Sequence, residues 1–524
     1  MREITKKSIT AAAAACVALS MTAGCSDKKE TAGSADVKFN KTELPIVNEP
    51  VTLEATVCRP ATFGKYDEMS FYKELEEKTN VKINWTEIME PYAEKINLIF
   101  ASNDYPDLMF RGATDSQILS AADSGDVMEL NTLIDEYAPN WKKVIEDSYI
   151  RKTITSPDGK IYGLPFVRAD EADYGIRDVW LINNDWLQKL NLEIPETLDD
   201  LYNVLKAFKA AEGKELPSNI VPWYLRYNQN VGGHFDLYSS FGITDNTNHI
   251  MVKDGKVIFT ANTEEAKEVA KFLNKLYSEG LIPSEMFTDD FAAYASRLNS
   301  DPANVGLITS YNHPFADEHT FVPMLVPRSD KIDKVLMRQQ TSMVIRNAAV
   351  IFSNNPYPEI TMRWLDELAK AENSVQLLYG KEGETIYRKD NGRYGFFEGD
   401  DVVSASKTSS GNWGPAAVTS DVIDLVDFSG GEAIRRKYFE SVYKDNRMPM
   451  EQMYPNVFFT EEQQNLRAQY ANDIASYVEK QFADFIVNGN IDAGWDKYCN
   501  ELKNLGLDTL LGVYQEGLDN FNSN

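Results

Sequence analysis

The sequence predicts an α/β protein with two lobes around a ligand cleft, and three observations support this prediction. Apolar residues alternate over 51–57 and again over 81–85, with a helical stripe between them, which is the order of a parallel sheet. Residues 159–186 end one strand, pass through an acidic bend and begin a new apolar strand at 179–182. The 524 residues also exceed what one hydrophobic core normally holds.

The first lobe is predicted to begin with a βαβαβ unit. Strands at 51–58, 81–85 and 106–110 are separated by helical stripes. Parallel strands with right-handed crossovers present ligands beyond their carboxyl ends. The loops 59–67 and 111–116 should therefore border the cleft, and they carry three candidate ligand-binding residues: Arg59, Tyr66 and Arg111.

Two candidates lie in and after the crossover. Glu171 belongs to the acidic bend and is placed to face the cleft, although a solvated acidic bend is an equally good interpretation. Trp223 lies in the irregular aromatic segment 217–241, where packing in the core is the rival interpretation. In both cases the residue type fits a ligand site and a structural role alike.

Three further candidates come later in the chain. Tyr311 and His313 follow a buried strand predicted at 305–309 and should lie in the cleft. Trp413 lies among small residues at 411–415, where a bulky core side chain would be unexpected. Because an aromatic ring offers a flat face for stacking, we expect Trp413 to stack on the ligand.

These patterns predict a division of the chain into segments. Residues 1–24 read as a signal peptide and 25–45 as a flexible tether. The first lobe is predicted to contain 46–167 and 318–355, and the second lobe 168–317 and 356–524. Crossings between the lobes are predicted near 166–174, 311–317 and 353–358.

Charge and composition exclude several classes of protein. The formal net charge is −27, and the sequence has no basic groove with interleaved aromatic residues, which argues against nucleic-acid binding. Hydrophobic residues make up 43% of the chain, as in a packed globular protein. Cys58 and Cys499 allow one disulfide, but we favour two unrelated thiols. No cysteine spacing suits a metal, so no metal or cofactor is predicted.

The amino terminus has the features of an exported lipoprotein. Lys6 and Lys7 precede an apolar stretch at 9–21 that is too short to span a bilayer. The sequence at 22–25 then resembles the lipobox of bacterial lipoproteins, which implies that Cys25 carries the lipid anchor. Thr22 replaces the usual leucine, and an ordinary signal peptide cleaved nearby is the alternative.

Several short motifs recur in one order along the chain. They are the lipobox and the segments 101–108, 184–187, 354–366 and 495–507. Together they resemble the lipoprotein solute-binding proteins (family 1) of carbohydrate ABC transporters over essentially the whole mature chain. The resemblance implies a type II periplasmic-binding-protein-like fold, in which two lobes close on a sugar and deliver it to a membrane permease. Alginate-binding members are similar in length and layout.

One departure from that family concerns calcium. Some long members carry a calcium loop of Asp and Asn residues after a helix that corresponds to residues 197–209. Here the segment 210–217 reads AAEGKELP, which offers too few oxygen ligands for a calcium site. We therefore expect no calcium at this position.

The sequence thus predicts a monomeric, extracytoplasmic, lipid-anchored binding protein that captures a carbohydrate, with an oligosaccharide favoured by the length and aromatic content of the chain. Its partners would be the sugar and the permease, and binding would favour closure of the lobes. Peptides or acidic small molecules are the alternative ligands, since Arg59, Arg111 and Arg168 can pair with carboxylates. A glycan-degrading enzyme is a less favoured alternative, because the sequence has no recognisable catalytic motif.

Overall fold

The computed structural model describes residues 37–169, 175–300, 304–311, 320–400 and 404–523. A six-stranded sheet, a four-stranded sheet and two hairpins organise this part of the chain. In chain order the strands are β1 (Val51–Arg59), β2 (Val81–Met89), β3 (Leu108–Phe110), β4 (Leu164–Arg168), β5 (Val179–Asn183), β6 (Val221–Tyr224), β7 (Ile250–Lys253), β8 (Lys256–Phe259), β9 (Val305–Ser310), β10 (Phe321–Met324), β11 (Met343–Ile351), β12 (Ile386–Arg388), β13 (Tyr394–Phe396) and β14 (Ala416–Val418).

The α-helices cover the faces of both sheets and form the carboxyl-terminal end of the described chain. They are Ser70–Thr79, Ala93–Ser102, Asp115–Asp123, Asn131–Tyr137, Pro139–Ile145, Ser148–Ile154, Asn184–Leu190, Leu198–Ala211, Glu264–Ser278, Phe291–Ser300, Pro358–Leu368, Ala371–Tyr379, Ser420–Ile423, Gly430–Tyr438, Glu461–Asn488, Ile491–Asn504 and Leu507–Ser523. Thr197 caps the helix Leu198–Ala211 in a capping box with Asp200.

The first lobe is built on the six-stranded sheet, whose order is β14-β4-β11-β3-β1-β2. β1 pairs in parallel with both β2 and β3, which confirms the predicted βαβαβ unit. β11 is antiparallel to β3 and β4, and β14 is parallel to β4. The carboxyl ends of β1, β2, β3, β4 and β14 therefore share one edge of the sheet, where ligands of such sheets bind.

An aromatic cluster fills the core beneath β1, β2 and β3. Trp364, from the helix Pro358–Leu368, packs against Tyr72, Trp85 and Phe110 with ring centroids 6.3 to 6.4 Å apart. Trp364 is almost fully buried. This helix is thereby fixed to the first lobe by aromatic burial.

The second lobe is built on the four-stranded sheet, with the order β10-β5-β9-β6. β9 lies antiparallel to β5 and parallel to β6, and β10 lies antiparallel to β5. The helices Glu264–Ser278 and Glu461–Asn488 pack on this lobe, where the side-chain amide of Asn274 donates to the carbonyl of Ile486 over 2.9 Å. The two central strands, β5 and β9, are buried along their whole length, as expected for strands covered on both faces.

Three chain segments run side by side between the sheets, and we call them the hinge strands: residues 175–177, 337–340 and 446–448. The Arg177 amide donates to the Arg338 carbonyl over 2.7 Å, and the Gln340 amide donates to the Gly175 carbonyl over 2.8 Å. On the other side, the Met337 amide donates to the Asn446 carbonyl over 2.6 Å. These backbone bonds connect the passages of the chain between the lobes.

Two predicted boundaries between the lobes are wrong. β10 pairs with β5 in the second lobe, although 318–355 was expected in the first. β14 pairs with β4 in the first lobe, although 356–524 was expected in the second. Both strands are short apolar runs, so local sequence does not show which sheet they join.

The predicted crossings change accordingly. β4 and β5 flank the crossing predicted at 166–174, of which residues 170–174 lie outside the described chain. β9 and β10, which flank the crossing predicted at 311–317, belong to the same sheet, and residues 312–319 lie outside the described chain. The chain passes between the lobes at the hinge strand 337–340. At 353–358 the chain stays on the first lobe, where the side-chain amide of Asn354 donates to the Tyr105 carbonyl over 2.8 Å. The chain next passes to the second lobe between Phe428, which packs on Tyr379, and Tyr443.

Candidate functional site

An arginine and a tryptophan meet at the cleft edge of the first lobe. The guanidinium carbon of Arg111 lies 5.3 Å from the centre of the Trp413 ring, and Tyr92 contacts the same ring edge-on at 6.1 Å. Arg111 follows directly after β3, and Trp413 and Tyr92 are both partly exposed. We call Arg111, Trp413 and Tyr92 the aromatic platform. The sequence predicted the first two as ligand-binding residues, and the structure brings them together.

The backbone around Arg111 is closely constrained. Arg111 has a positive φ of 62°, and its amide donates to the Ala348 carbonyl over 3.3 Å. The next residue, Gly112, has φ of +90°, and a Cβ atom there would lie 2.5 Å from the Cys58 sulfur. Burial raises the pKa of the Cys58 thiol to about 12, so the thiol packs as a neutral group. Only glycine at 112 allows this turn.

Arg59 and Tyr66 are buried and stabilise the loop 60–66 at the cleft edge of the first lobe. Arg59 is buried and forms an ion pair with Glu87, with Nη2 and Oε2 2.6 Å apart, while its Nη1 donates to the Phe63 carbonyl over 2.9 Å. Tyr66 is fully buried and stacks on Tyr72 with ring centroids 5.1 Å apart. In this conformation both side chains hold the loop 60–66 in place and have almost no surface to offer a ligand.

Tyr311 lies at the carboxyl end of β9 between two arginines. The guanidinium carbons of Arg435 and Arg177 lie 4.4 Å and 5.5 Å from the centre of its ring. Arg435 is buried, whereas Arg177 and Tyr311 are partly exposed. Tyr311 is thus a preorganised aromatic side chain on the second lobe, placed where the predicted cleft requires one.

A cavity of about 460 Å³ lies beside the hinge strands. Residues of β11 in the first lobe and of the second lobe both line it. Its polar lining consists largely of amide and guanidinium groups, from Arg177, Asn230, Asn246, Arg338, Gln339 and Gln340. Groups of this kind donate and accept hydrogen bonds in fixed directions, as the hydroxyl groups of a sugar require.

Buried charges fix Arg338 at the wall of this cavity. Its Nε lies 2.9 Å from Asp236, and its Nη2 lies 3.6 Å from Asp178. Burial, with Asp236 nearby, raises the pKa of Asp178 to about 6, and the two arginines Arg177 and Arg338 oppose this rise. The cluster holds the guanidinium of Arg338 in one position against the second lobe.

A second cavity of about 400 Å³ shares four residues with the first, namely Asn246, Thr341, Met453 and Asn456. Asp115 and Arg467 both line it. Arg467 lies over the ring of Phe459, with its guanidinium carbon 4.1 Å from the ring centre. The two cavities are neighbours along the chain segment that follows the last hinge strand.

The remaining predicted residues differ in their placement. Trp223 is fully buried in the second lobe, where it packs on Trp180 with ring centroids 5.2 Å apart, so in this conformation it has no surface for a ligand. Glu171, His313 and Cys25 lie outside the described residues. Cys58 and Cys499 are unpaired, as favoured from the sequence.

Tyr92, Arg177, Arg338 and Arg435 were missed by the sequence-based prediction. Tyr92 follows β2 by three residues, so the same rule on strand ends that nominated Arg111 would have found it. Arg435 gives no such signal, because it reaches Tyr311 from the helix Gly430–Tyr438, more than one hundred residues later in the chain.

Neither a candidate metal site nor a membrane-spanning helix is found among the described residues. No group of three His, Cys, Asp or Glu side chains there is arranged to hold a metal ion. In the segment 210–217, which corresponds to the calcium loop of some long family members, the Lys214 ammonium donates to the Ala210 carbonyl over 2.9 Å. Every described helix falls short of the length or the apolar character needed to cross a membrane.

Comparison with known proteins agrees with this architecture. The model of the family "Bacterial extracellular solute-binding protein" matches residues 62–375. The fructooligosaccharide ABC transporter substrate-binding protein FusA of Streptococcus pneumoniae serotype 4 is 31% identical over 97% of both chains.

Solved structures show the same fold. FusA of S. pneumoniae in complex with kestose is 28% identical, with a TM-score of 0.76 over 90% of this chain and 100% of that chain. A solute-binding protein of Bifidobacterium longum infantis, described as binding HMO, has a TM-score of 0.80 over 90% of this chain and 99% of its own at 23% identity. The chain therefore has the two-lobed periplasmic-binding-protein fold and belongs to the bacterial extracellular solute-binding proteins.

Proposed function

We propose that this protein binds a short, neutral oligosaccharide of the fructo-oligosaccharide class between its lobes and delivers it to an ABC transporter permease. The aromatic platform carries the proposal: the Trp413 ring, held between Arg111 and Tyr92, offers a flat face at the cleft edge. FusA, whose description names this class of sugar, is similar over nearly the whole chain.

The cleft supplies both kinds of contact that an oligosaccharide needs. Trp413 offers an aromatic face from the first lobe, and Tyr311 is the partly exposed aromatic residue of the second lobe. Asn230, Asn246 and Gln340 offer amide groups at the hinge cavity. A ligand that contacts both lobes favours the closed state, because it binds that state better than the open one. Glu171 and His313 remain candidates for further contacts.

An acidic ligand is less well supported by the arginines at the site. Arg59 is neutralised by Glu87, and Arg338 by Asp236. Arg111 lies against the Trp413 ring, where its guanidinium supports the indole. The amide-rich lining therefore favours hydroxyl groups over carboxylates as ligand atoms.

We further propose that the mature protein is a monomer, anchored outside the cytoplasm by a lipid on Cys25, and that it binds its ligand without cleaving it. The lipobox-like sequence at 22–25 supports the anchor. The family match supports export and transport. Metabolic labelling with a lipid precursor, lost in Cys25→Ala, tests the anchor.

Calorimetric titration of residues 26–524 with kestose, nystose, maltotriose, an oligogalacturonide and a tripeptide tests the ligand class. We expect binding of kestose and nystose with a dissociation constant in the micromolar range or below, weakened at least about tenfold in Trp413→Ala and less in Trp413→Phe. Chromatography of the same mixtures should recover the sugars uncleaved. Binding of only the tripeptide or the oligogalacturonide would overturn the proposal.

A further inference from the structure

Arg435 connects three parts of the second lobe and the hinge that are distant in sequence. Its Nη2 donates to the carbonyl of Ile176, in the first hinge strand, over 3.0 Å. Its guanidinium carbon lies 4.4 Å from the centre of the Tyr311 ring. Its Nη1 lies 3.5 Å from Glu432, one turn earlier on the same helix. A single planar cation thus contacts the candidate ligand residue and the hinge backbone at once.

The helix that carries Arg435 is fixed to the second lobe. It continues from Gly430–Tyr438 into a turn that ends at Tyr443. The Tyr443 hydroxyl accepts from the Trp180 amide over 3.1 Å and donates to the Met324 carbonyl over 3.0 Å. Tyr443 is fully buried, so this anchor is shielded from water. Arg435 therefore acts from a rigid base.

The hinge strand that Arg435 contacts is paired on its other side. Ile176 is fully buried and bridges Gln339 in the second hinge strand. The neighbouring amides of Arg177 and Gln340 complete this pairing with bonds of 2.7 and 2.8 Å. Any shift of the Arg435 guanidinium is therefore passed to two of the three hinge strands.

Arg177 adds a second connection. It precedes Asp178, to which its Nη1 lies 3.6 Å distant, and its guanidinium lies on the Tyr311 ring at 5.5 Å. The Tyr311 ring is therefore held between one arginine of the hinge and one arginine that grips the hinge. Cation–π contacts of this kind contribute roughly 0.5–2 kcal/mol each, depending on burial.

We propose that Arg435 is a positioning residue that couples the Tyr311 ring to the hinge strand at Ile176, so that ligand contact with Tyr311 stabilises the closed arrangement of the lobes. This rests on the proposed binding of an oligosaccharide between the lobes. Arg435 itself is too buried to touch the ligand, so its effect on affinity passes through Tyr311 and the hinge.

The neighbouring arginine provides a matched control. Arg436 lies on the same helix and also pairs with Glu432, at 3.1 Å, but its guanidinium lies over Phe428 and not over Tyr311. Arg435→Gln and Arg436→Gln therefore remove the same charge from the same helix and the same glutamate. Arg435→Lys keeps the charge and the buried stem, and it serves if Arg435→Gln folds poorly.

Amide hydrogen exchange of the unliganded protein gives the first readout and needs no sugar. We expect exchange at Arg177 and Gln340 to become at least about fivefold faster in Arg435→Gln and to stay near the wild-type rate in Arg436→Gln. Arg435→Lys should fall between them. Equal exchange at these amides in all the proteins would overturn the proposed link to the hinge.

The second readout is the affinity for kestose, measured in a double-mutant cycle of Arg435→Gln and Tyr311→Ala. We expect Arg435→Gln to weaken binding about tenfold, and the double variant with Tyr311→Ala to bind no more weakly than Tyr311→Ala alone, because both changes break one pathway. Additive losses of affinity in the double variant, or a loss in Arg436→Gln equal to that in Arg435→Gln, would overturn the proposed coupling. If the wild type binds no saccharide, the proposed function fails, and the exchange experiment still decides the role of Arg435.

Discussion

The guanidinium of Arg111 lies 5.3 Å above the centre of the Trp413 ring, although 302 positions separate the two residues. Arg111 directly follows β3, the third strand of the first lobe. Trp413 precedes β14, which joins the same sheet much later in the chain. Gly414 lies against Phe110, which keeps the two loops in contact. The platform is therefore a product of topology, and it links the two ends of the first lobe.

Replacing Arg111 tests whether the cation holds the indole for the ligand. Arg111→Met keeps an apolar stem but removes the cation–π contact, so we expect kestose affinity to fall about three- to tenfold, with Arg111→Lys in between. Titration calorimetry measures the effect. Arg388→Met is the matched control, since Arg388 lies over Tyr394 at 4.5 Å on the hairpin β12–β13. Equal losses in both variants would contradict the role of Arg111.

Gly112→Ala tests the turn that presents Arg111. The substitution places a Cβ atom 2.5 Å from the Cys58 sulfur at φ of +90°. Gly125→Ala carries a similar backbone strain at φ of +79°, but nothing lies within 4 Å of its Cβ position. We expect both to lose about 1–2 kcal/mol in urea unfolding, and Gly112→Ala to lose about 1–3 kcal/mol more and to weaken kestose binding. Identical behaviour of the two variants would show that the contact with Cys58 is relaxed at no cost.

Local periodicity was enough to predict much of the first lobe. The alternation in β1 and β2 and the helical stripe between them predicted a parallel unit, and the structure confirms it. The rule on carboxyl ends of strands then nominated Arg111, which lies on the platform, but also Arg59 and Tyr66, which are buried. The rule selects a loop, whereas the exposure of each side chain depends on partners such as Glu87 and Tyr72.

Pairing between distant strands was the part that sequence did not reveal. β10 and β14 are three or four residues long and apolar, so either lobe satisfies their pattern. The crossing was therefore misplaced at 353–358, where breaker residues merely precede the helix Pro358–Leu368. For the same reason Trp223 was ambiguous, because an aromatic residue in an irregular segment suits a core and a cleft equally.

Arg346→Met tests the attachment of the chain after the last hinge strand to the first lobe. The Arg346 guanidinium donates to the carbonyls of Asn456 and Val457 over 2.7 and 3.0 Å and lies 3.2 Å from Asp115. Its loss leaves a half-buried carboxylate and two carbonyls without their partner, so we expect about 2–3 kcal/mol of destabilisation in urea unfolding. Lys444→Met breaks an exposed pair with Glu440 and should cost under about 0.5 kcal/mol. A loss that small in Arg346→Met would contradict this attachment.

His234 should make unfolding sensitive to acid. It is buried, stacks on Tyr227 and accepts from the Asn228 amide, and burial lowers its pKa to about 3. Below pH 6.5 this histidine is protonated in the unfolded chain but stays neutral in the folded chain. The free energy of unfolding therefore decreases as the pH is lowered, by roughly 2–3 kcal/mol between pH 7 and 4.5. His234→Phe keeps the stacking but leaves the Asn228 backbone amide without its acceptor, so the variant should be less stable than the wild type at pH 7. Its free energy of unfolding should decrease by roughly 2–3 kcal/mol less than that of the wild type when the pH is lowered to 4.5. Urea unfolding at both pH values measures this, and Lys444→Met should follow the wild type. Parallel losses in His234→Phe and the wild type would show that His234 does not titrate as its burial implies.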